Sequence, residues 1–414
     1  MWRGTYARHR LDLSVHDISF GVLSCVRMLR RERLEAEILR LCSLEGEGLV
    51  CFSVRSGWDL WLRACGLRAG DEILVSAITH PDMVRIISGH GLRAVPVDID
   101  PETLAPRPGM LRAALTPRTR AVLVAHLFGG LMDLGSVASF AREHGLFLVE
   151  DCAQAFQGPE RVGDPASDLS MYSFGTLKTS TALGGAVLRV RDRDVLRGMR
   201  EIQASYPVQR RGEYLKKLLK VLGLVVVSRP RPYGLLVRAC TRLGSDLDTL
   251  VNGVVRAFPV QEPAEMLLRR LRHRPSAPLL AMLSRRIRTF DEVRLARRAA
   301  ASERVARRLE VATVHPGGDS LRRTHWLFPV VVSDPGALIL GLRRRGFDAS
   351  RATSSISVVE APAGRSSPAE ASRMMSGVVF LPVYPGLSQD AFDDMVELVN
   401  DCAGSEAVED LARP

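Results

Sequence analysis

Three neighbouring stretches decide how this chain is read: LFLVEDCAQAF at 146–156, SMYSFGTLKTS at 170–180 and TALGGAV at 181–187. The first is an apolar run ending in a carboxylate, Asp151. In open α/β sheets ligands bind beyond the carboxyl ends of the strands, so a carboxylate there is placed to meet one. Lys178 follows Ser173 by five residues, in a loop rich in Gly, Ser and Thr rather than on a helix face where solvated lysines usually sit.

The rarity of lysine sharpens that signal. Of 57 basic residues only Lys178, Lys216, Lys217 and Lys220 are lysine, and Lys178 stands 38 residues from the next. A guanidinium keeps its proton in a protein, whereas a desolvated amine can lose one. A chain that uses Arg almost everywhere therefore keeps Lys most pointedly where an amine is needed. A carboxylate for a ring nitrogen, an amine able to bond an aldehyde, and hydroxyl and backbone donors for a phosphate are the requirements of a pyridoxal phosphate site. The blander readings are a solvated loop lysine, an Asp151 that caps a turn, Gln154 and Ser173 as ordinary turn donors, and Cys152 as a small buried residue.

Outward from this centre the pattern is that of an α/β protein. Short apolar runs at Ile73–Ala77, Ala94–Ile99, Ala121–Leu127, Leu146–Val149, Met171–Phe174 and Ala186–Val190 are nearly continuous, as strands buried on both faces of a parallel sheet are. Helical stretches lie between them, such as Leu134–His144 closed by Gly145. The implied fold is a doubly wound sheet. At 414 residues, with 46% hydrophobic and 25% charged, the chain is long enough for a large α/β domain and a smaller partner, and disorder is excluded. The expected division is an N-terminal segment at 1–50, a large domain at 51–270 and a small α+β domain at 271–414.

Residues 205–250 interrupt the rhythm with basic flanks around the apolar run Leu218–Val227, which is too short to span a bilayer. A lid or dimer-interface insertion is the first reading, and peripheral membrane contact through 210–240 the second. Leu279–Leu309 reads as one long amphipathic helix with a solvated, Arg-rich outer face, forming a hinge to the small domain. Beyond it come a strand at Trp326–Val332, a helix at Pro335–Gly346, a strand at Val378–Pro382 and a final helix at Gln389–Val399. The net charge of +11 is compatible with a phosphorylated substrate, an anionic membrane or nucleic acid, and its sign alone does not choose among them. Seven cysteines without C-x-x-C spacing speak for a reducing, cytoplasmic setting and against a disulfide framework or a zinc site. No secretory signal is read at the N-terminus. Phosphate-cradling glycines are absent before Lys178-Thr179, and no G-x-G-x-x-G follows the first strand, which argues against ATP hydrolysis and nicotinamide binding.

EDCAQAF followed by SFGTLK resembles the DegT/StrS-type sugar aminotransferases of the fold-type I pyridoxal phosphate superfamily. AGDEILVSAITH (69–80), AVPVDID (94–100), TPRTRAVLVAHLFG (116–129) and LPVYPGLS (381–388) extend the likeness. The resemblance implies a mostly parallel seven-stranded sheet with a smaller C-terminal α+β domain. It further implies Lys178 for the covalent bond to the cofactor, Asp151 for its pyridine nitrogen, Gln154 for the ring and its oxygen, and Ser173 for the phosphate. Ser56 and Gly57 correspond to the phosphate turn, whose backbone N–H groups open a helix from about 57 to 66, with Trp58 beside them, and His80 to a stacking position. An amino-acid donor, expected to be glutamate, a keto-sugar carried on a nucleotide, and a homodimer follow in the same way. No nucleic acid or metal is expected.

Four positions depart from the family pattern. Trp58 stands where a small hydroxyl residue is usual, and Leu183 where an acidic residue precedes the glycine pair. Around 252–264, VRAFPVQEPAE (255–265) offers no convincing Asn for the stretch that reaches a neighbouring subunit's phosphate. Arg351, Ala352 and Thr353 replace a His-Tyr pair. Two alternatives therefore stay open: a sugar dehydratase, against which the retained Lys178 argues, and a membrane-associated binding protein with reduced turnover.

Overall fold

Seven buried strands pair into one sheet in a computed structural model that describes residues 5–8, 11–242, 263–309, 315–351 and 356–403. The stretch at 243–262, including the end of the 205–250 insertion and most of the 252–264 region, and residues 352–355 lie outside the described residues. In chain order the strands are β1 (Gly48–Cys51), β2 (Glu72–Ser76), β3 (Ile78–Thr79), β4 (Arg93–Val97), β5 (Thr119–Ala125), β6 (Gly130–Leu131), β7 (Phe147–Asp151), β8 (Leu169–Ser173), β9 (Ala186–Val190), β10 (Arg322–Arg323), β11 (Phe328–Val331), β12 (Ser357–Val358) and β13 (Val378–Leu381).

The large sheet has the order β1-β9-β8-β7-β5-β2-β4. β4, β2, β5, β7 and β8 are mutually parallel, while β9 runs antiparallel to both of its neighbours. The continuous apolar runs follow from cover on both faces. Leu49, Ile73, Val75, Leu123, Val149, Met171 and Leu188 face a core built with the helices Val54–Ala64, Pro81–Gly89, Arg193–Ala204 and Ala264–Leu271. Their neighbours along the strands point the other way. Tyr172 and Val187 meet the helices Val15–Val26, Arg31–Leu41, Arg211–Val227 and Ala277–Arg288. Leu74, Val95, Val122, Val124 and Leu148 meet Pro108–Ala114 and Gly135–Glu143. Gly145, just past the last of these helices, takes φ +62°, the left-handed cap that its position in sequence suggests.

Because β2, β5, β7 and β8 run the same way, the residues that follow them all emerge at one edge of the sheet. That edge carries His80, His126, Asp151 and Ser173. A second, antiparallel pair, β11 with β13, packs on the helices Glu292–Ala306, Pro335–Arg344 and Gln389–Ala403 around Val305, Phe328, Leu342 and Met395. This C-terminal part is tied to the same edge by two short pairings, β12 with β3 and β10 with β6. Tyr6 makes a bridge with Phe347, so the start of the chain lies against the C-terminal part as well.

The stretch expected as one helix over 279–309 is two helices, Ala277–Arg288 and Glu292–Ala306. Asp291 causes the break, because its carboxylate accepts the Arg294 N–H as an N-cap and so restarts the backbone pattern. The first helix is buried nearly all round, through Leu279, Leu280, Met282, Leu283 and Ile287. Nor is its basic edge simply solvated: Arg285 and Arg286 reach Asp17 at 2.9 and 3.1 Å. Leu218–Val227 forms the latter part of the helix Arg211–Val227, and the helix Pro230–Arg242 follows. No helix of the described residues is long and apolar enough to cross a membrane.

Candidate active site

A cavity of about 260 Å³ opens at the carboxyl edge of the sheet, near the lower end of the usual size of small-molecule sites. Asp151 ends β7 inside it, with the loop after β8 opposite, and Lys178 also lines it. That loop is held by its own backbone and by a distant side chain. The Lys178 N–H donates to the Gly175 carbonyl at 3.0 Å, and Trp326 Nε1 donates to the Leu177 carbonyl at 2.8 Å. The Lys178 Nζ lies 4.0 Å from the centroid of the Trp326 ring, a cation–π contact.

Burial pushes the Lys178 amine down to about 8, against the attraction of Asp151 and with added repulsion from Arg55. Burial likewise pushes the Asp151 carboxyl up, opposed by the Ala153 N–H, which it accepts at 2.9 Å, and by Lys178 and His126. Each group is thus moved toward neutrality, the form that desolvation favours. The consequence for Lys178 is testable. The neutral fraction of its amine rises as pH passes through about 8, so acetylation of Lys178, followed by peptide mass spectrometry, should reach half its limiting rate there, well below the ordinary lysine value. A half-rate near pH 10 or above would remove the claim of an activated amine.

The other sequence candidates divide into two groups. Gln154 lines the cavity, and its Oε1 accepts the Phe128 N–H at 2.8 Å, which leaves the amide NH₂ as its donor. Ser173 lines it too, its Oγ accepting the Gly175 N–H at 3.3 Å and retaining a hydroxyl proton to donate. His80 sits at the rim with its side chain 41% exposed and caps the helix Pro81–Gly89, its Nδ1 accepting the Asp82 N–H. Ser56, Gly57 and Trp58 are not among the residues that line the cavity. The helix that was to begin at about 57 begins at Val54, capped by Ser53. One turn earlier than expected, it is Ser53, Val54 and Arg55 that reach the cavity.

Each of the three displaced residues has a structural occupation. The Ser56 hydroxyl donates to the Leu271 carbonyl at 2.8 Å. A Cβ at Gly57 would lie 2.4 Å from Leu188 Cδ2, so glycine lets this helix approach β9. Trp58 is fully buried, stacks on Trp61 with ring centroids 5.4 Å apart, and donates from Nε1 to the Met83 carbonyl.

The structure also brings in residues that sequence reasoning did not assign to the site. His126 follows β5 as Asp151 ends β7, and its position at the end of an apolar run was a readable signal. Its Nδ1 accepts the Met132 N–H at 3.2 Å, which makes Nε2 the donor to Glu150, 3.1 Å away. Arg55 pairs with Asp82, and Arg85 joins them at 2.8 Å. Lys217 and Leu279 come from helices, Gln209 from the stretch just before the helix Arg211–Val227, and Trp326 and Ile356 from the C-terminal part. Nothing local marked these five, since only packing between distant elements delivers them.

Residues 30–223 match the sequence profile of the DegT/DnrJ/EryC1/StrS aminotransferase family. L-glutamine:2-deoxy-scyllo-inosose aminotransferase of Streptomyces fradiae is 39% identical over 159 residues, 36% of each chain. A protein of Geobacillus stearothermophilus described as a pleiotropic regulatory protein is 33% identical over 168 residues, 40% of this chain and 45% of its own. In these alignments the chain spans less than half the length of the curated relatives it matches. Among solved structures, the aminotransferase TlmJ of Streptoalloteichus hindustanus aligns with a TM-score of 0.68 at 20% identity, over 96% of this chain and 98% of its own. NtdA of Bacillus subtilis, solved with bound cofactor PMP, aligns at 0.66 and 17% identity, over 94% and 83%. At such identities the likeness shows the fold, the fold-type I arrangement, over almost the whole chain.

Proposed function

We propose that this chain, whose residues 30–223 match the DegT/DnrJ/EryC1/StrS aminotransferase family profile, is a pyridoxal-phosphate-dependent aminotransferase of that family that moves an amino group from an amino acid onto a keto-sugar. The observation that carries this reading is the meeting of the Lys178 amine and the Asp151 carboxylate in one cavity, the amine held at about 8 by burial. The residues present suit the cofactor: a carboxylate for a protonated ring nitrogen, the Gln154 NH₂ for a ring oxygen, His80 at the rim, and the Ser173 hydroxyl with the helix N-terminus at 53–55 for a phosphate. When bound, pyridoxal phosphate supplies an aldehyde carbon and a ring that accepts electrons from a carbon losing its proton.

What the chain itself does can be stated atom by atom. Lys178 Nζ, part neutral near pH 8, is both the nucleophile and the base that takes a proton and returns it. Asp151, deep in the cavity, balances positive charge set against it. Trp326, packed over Nζ and bonded to the loop, keeps the amine pointed inward and limits water around it.

The acceptor is expected to be a keto-sugar joined to a nucleotide, for which the net charge of +11 is suited. Glutamate is the expected donor. The name of the Streptomyces fradiae relative couples L-glutamine with 2-deoxy-scyllo-inosose, so glutamine and a cyclitol ketone belong in the same panel. Purified protein mixed with pyridoxal phosphate should develop a visible absorption band that glutamate or glutamine bleaches. The bleached protein should then aminate one ketone of the panel, detected by mass spectrometry. A band that neither donor changes would defeat the transferase reading and favour a binding protein.

A further inference from the structure

The helix Arg211–Val227 carries three of the four lysines, and they do not share one face: Lys216 and Lys220 are exposed, whereas Lys217 is partly buried and lines the same cavity as Lys178. Among the described residues the Lys217 amine has no hydrogen bond and no ion pair. Burial pushes its amine down to about 8, and Arg55 adds repulsion. Arg55 has its own counter-charge in Asp82, whereas among the described residues the Lys217 amine has none. A desolvated cation beside a second cation is unfavourable unless an anion enters to meet it.

The place for that anion is marked independently. Ser53, Val54 and Arg55 line the cavity at the start of the helix Val54–Ala64, where backbone N–H groups and the helix dipole favour negative charge. The Ser53 Oγ accepts the Ser56 N–H, which satisfies one donor of that end but brings no negative charge to it. Of the phosphate contacts expected from the sequence, Ser56 and Gly57 turn away from the cavity and Ser173 remains. Two positive features that line one cavity suit a dianion better than a monoanion, and a phosphate ester carries close to two charges at neutral pH.

We propose that Lys217 is a phosphate-binding residue of this site, its ammonium meeting the phosphate ester of the cofactor beside the N-terminus of the helix Val54–Ala64. The proposal rests on the pyridoxal phosphate reading and extends it to a helix that lay outside every site assignment made from the sequence.

The test compares wild type with Lys217→Met, Lys217→Gln and Lys217→Arg in binding pyridoxal phosphate, pyridoxal, which lacks the phosphate, and inorganic phosphate. Tryptophan fluorescence reports the first two, and the melting temperature the third. Met is expected to weaken pyridoxal phosphate by about 10- to 100-fold, the worth of a hydrogen bond to a charged group, and to leave pyridoxal within about twofold. Arg should retain most of the affinity. Inorganic phosphate should raise the melting temperature of wild type and not that of the Met or Gln variants. The ligand-free Met variant loses only an unpaired, desolvated cation, so it should melt no lower than wild type. Gln keeps a polar end if Met disturbs folding. Unchanged pyridoxal phosphate affinity, or equal loss for pyridoxal, overturns the proposal, as does a variant that binds the cofactor normally but raises KM for the amino-acid donor. If wild type binds neither pyridoxal nor pyridoxal phosphate, the cofactor reading falls. The phosphate arm then still decides whether Lys217 holds an oxyanion.

Discussion

Lys178→Ala is expected to lower amino transfer by on the order of 10⁴-fold or more, because one substitution removes both the nucleophile and the proton carrier. Lys178→Arg should be just as inactive. Its guanidinium keeps the charge but does not shed a proton, so an electrostatic role alone would be preserved while a chemical one would not. Both proteins should fold. The loop is held by the Lys178 backbone N–H on Gly175 and by Trp326 on Leu177, neither of which uses the amine. Loss of the Trp326 ring contact and of the attraction to Asp151 is set against relief of a desolvated cation, so the melting temperature should change little. Single-turnover assays of aminated product, with melting curves in parallel, make the check. An Arg variant within about tenfold of wild type, the effect of about 1.4 kcal/mol, would show that Lys178 acts only through its charge.

Trp58→Ala is expected to cost about 3–5 kcal/mol of stability, in the range for deleting a large buried aromatic. Trp58 has no exposed surface, stacks on Trp61, which meets Phe147 edge-on at 5.3 Å, and anchors to the Met83 carbonyl. Its neighbours come from three elements and leave little to collapse into the space. Urea denaturation of the ligand-free protein should show the midpoint falling, with Trp58→Phe recovering most of the loss. If Trp58 instead touched the cofactor, the ligand-free midpoint would hold and pyridoxal phosphate affinity would fall. The two outcomes separate core from site.

The departure at Trp58 therefore has a physical account. A bulky apolar residue at that position suits a helix whose cap lies at Ser53, one turn before the expected start, so that position 58 faces the sheet core instead of the ligand. The expectation at Ser56 and Gly57 came from the family resemblance, whereas where a helix starts depends on which residue caps it. Ser53 and Ser56 are both eligible caps by type, and the fold uses Ser53. The single helix read over 279–309 failed for a related reason, since periodicity continues through Asp291 while its carboxylate restarts the backbone.

The sequence by itself determined the alternation of strands and helices, the parallel sheet, and the placing of Asp151 at a strand end with Lys178 in the loop after the adjacent strand. Those are consequences of short-range pattern: an apolar run long enough to cross a sheet must release its next residues at the edge, and β7 and β8 are neighbours. The tertiary structure alone decided what else reaches that edge. Lys217 arrives on a helix within the stretch that interrupts the strand–helix rhythm, Trp326 from the C-terminal part, and Arg55 through the choice of cap. No spacing along the chain encodes such encounters. They depend on how buried faces of separate elements settle against one sheet, and that is a property of the packed molecule.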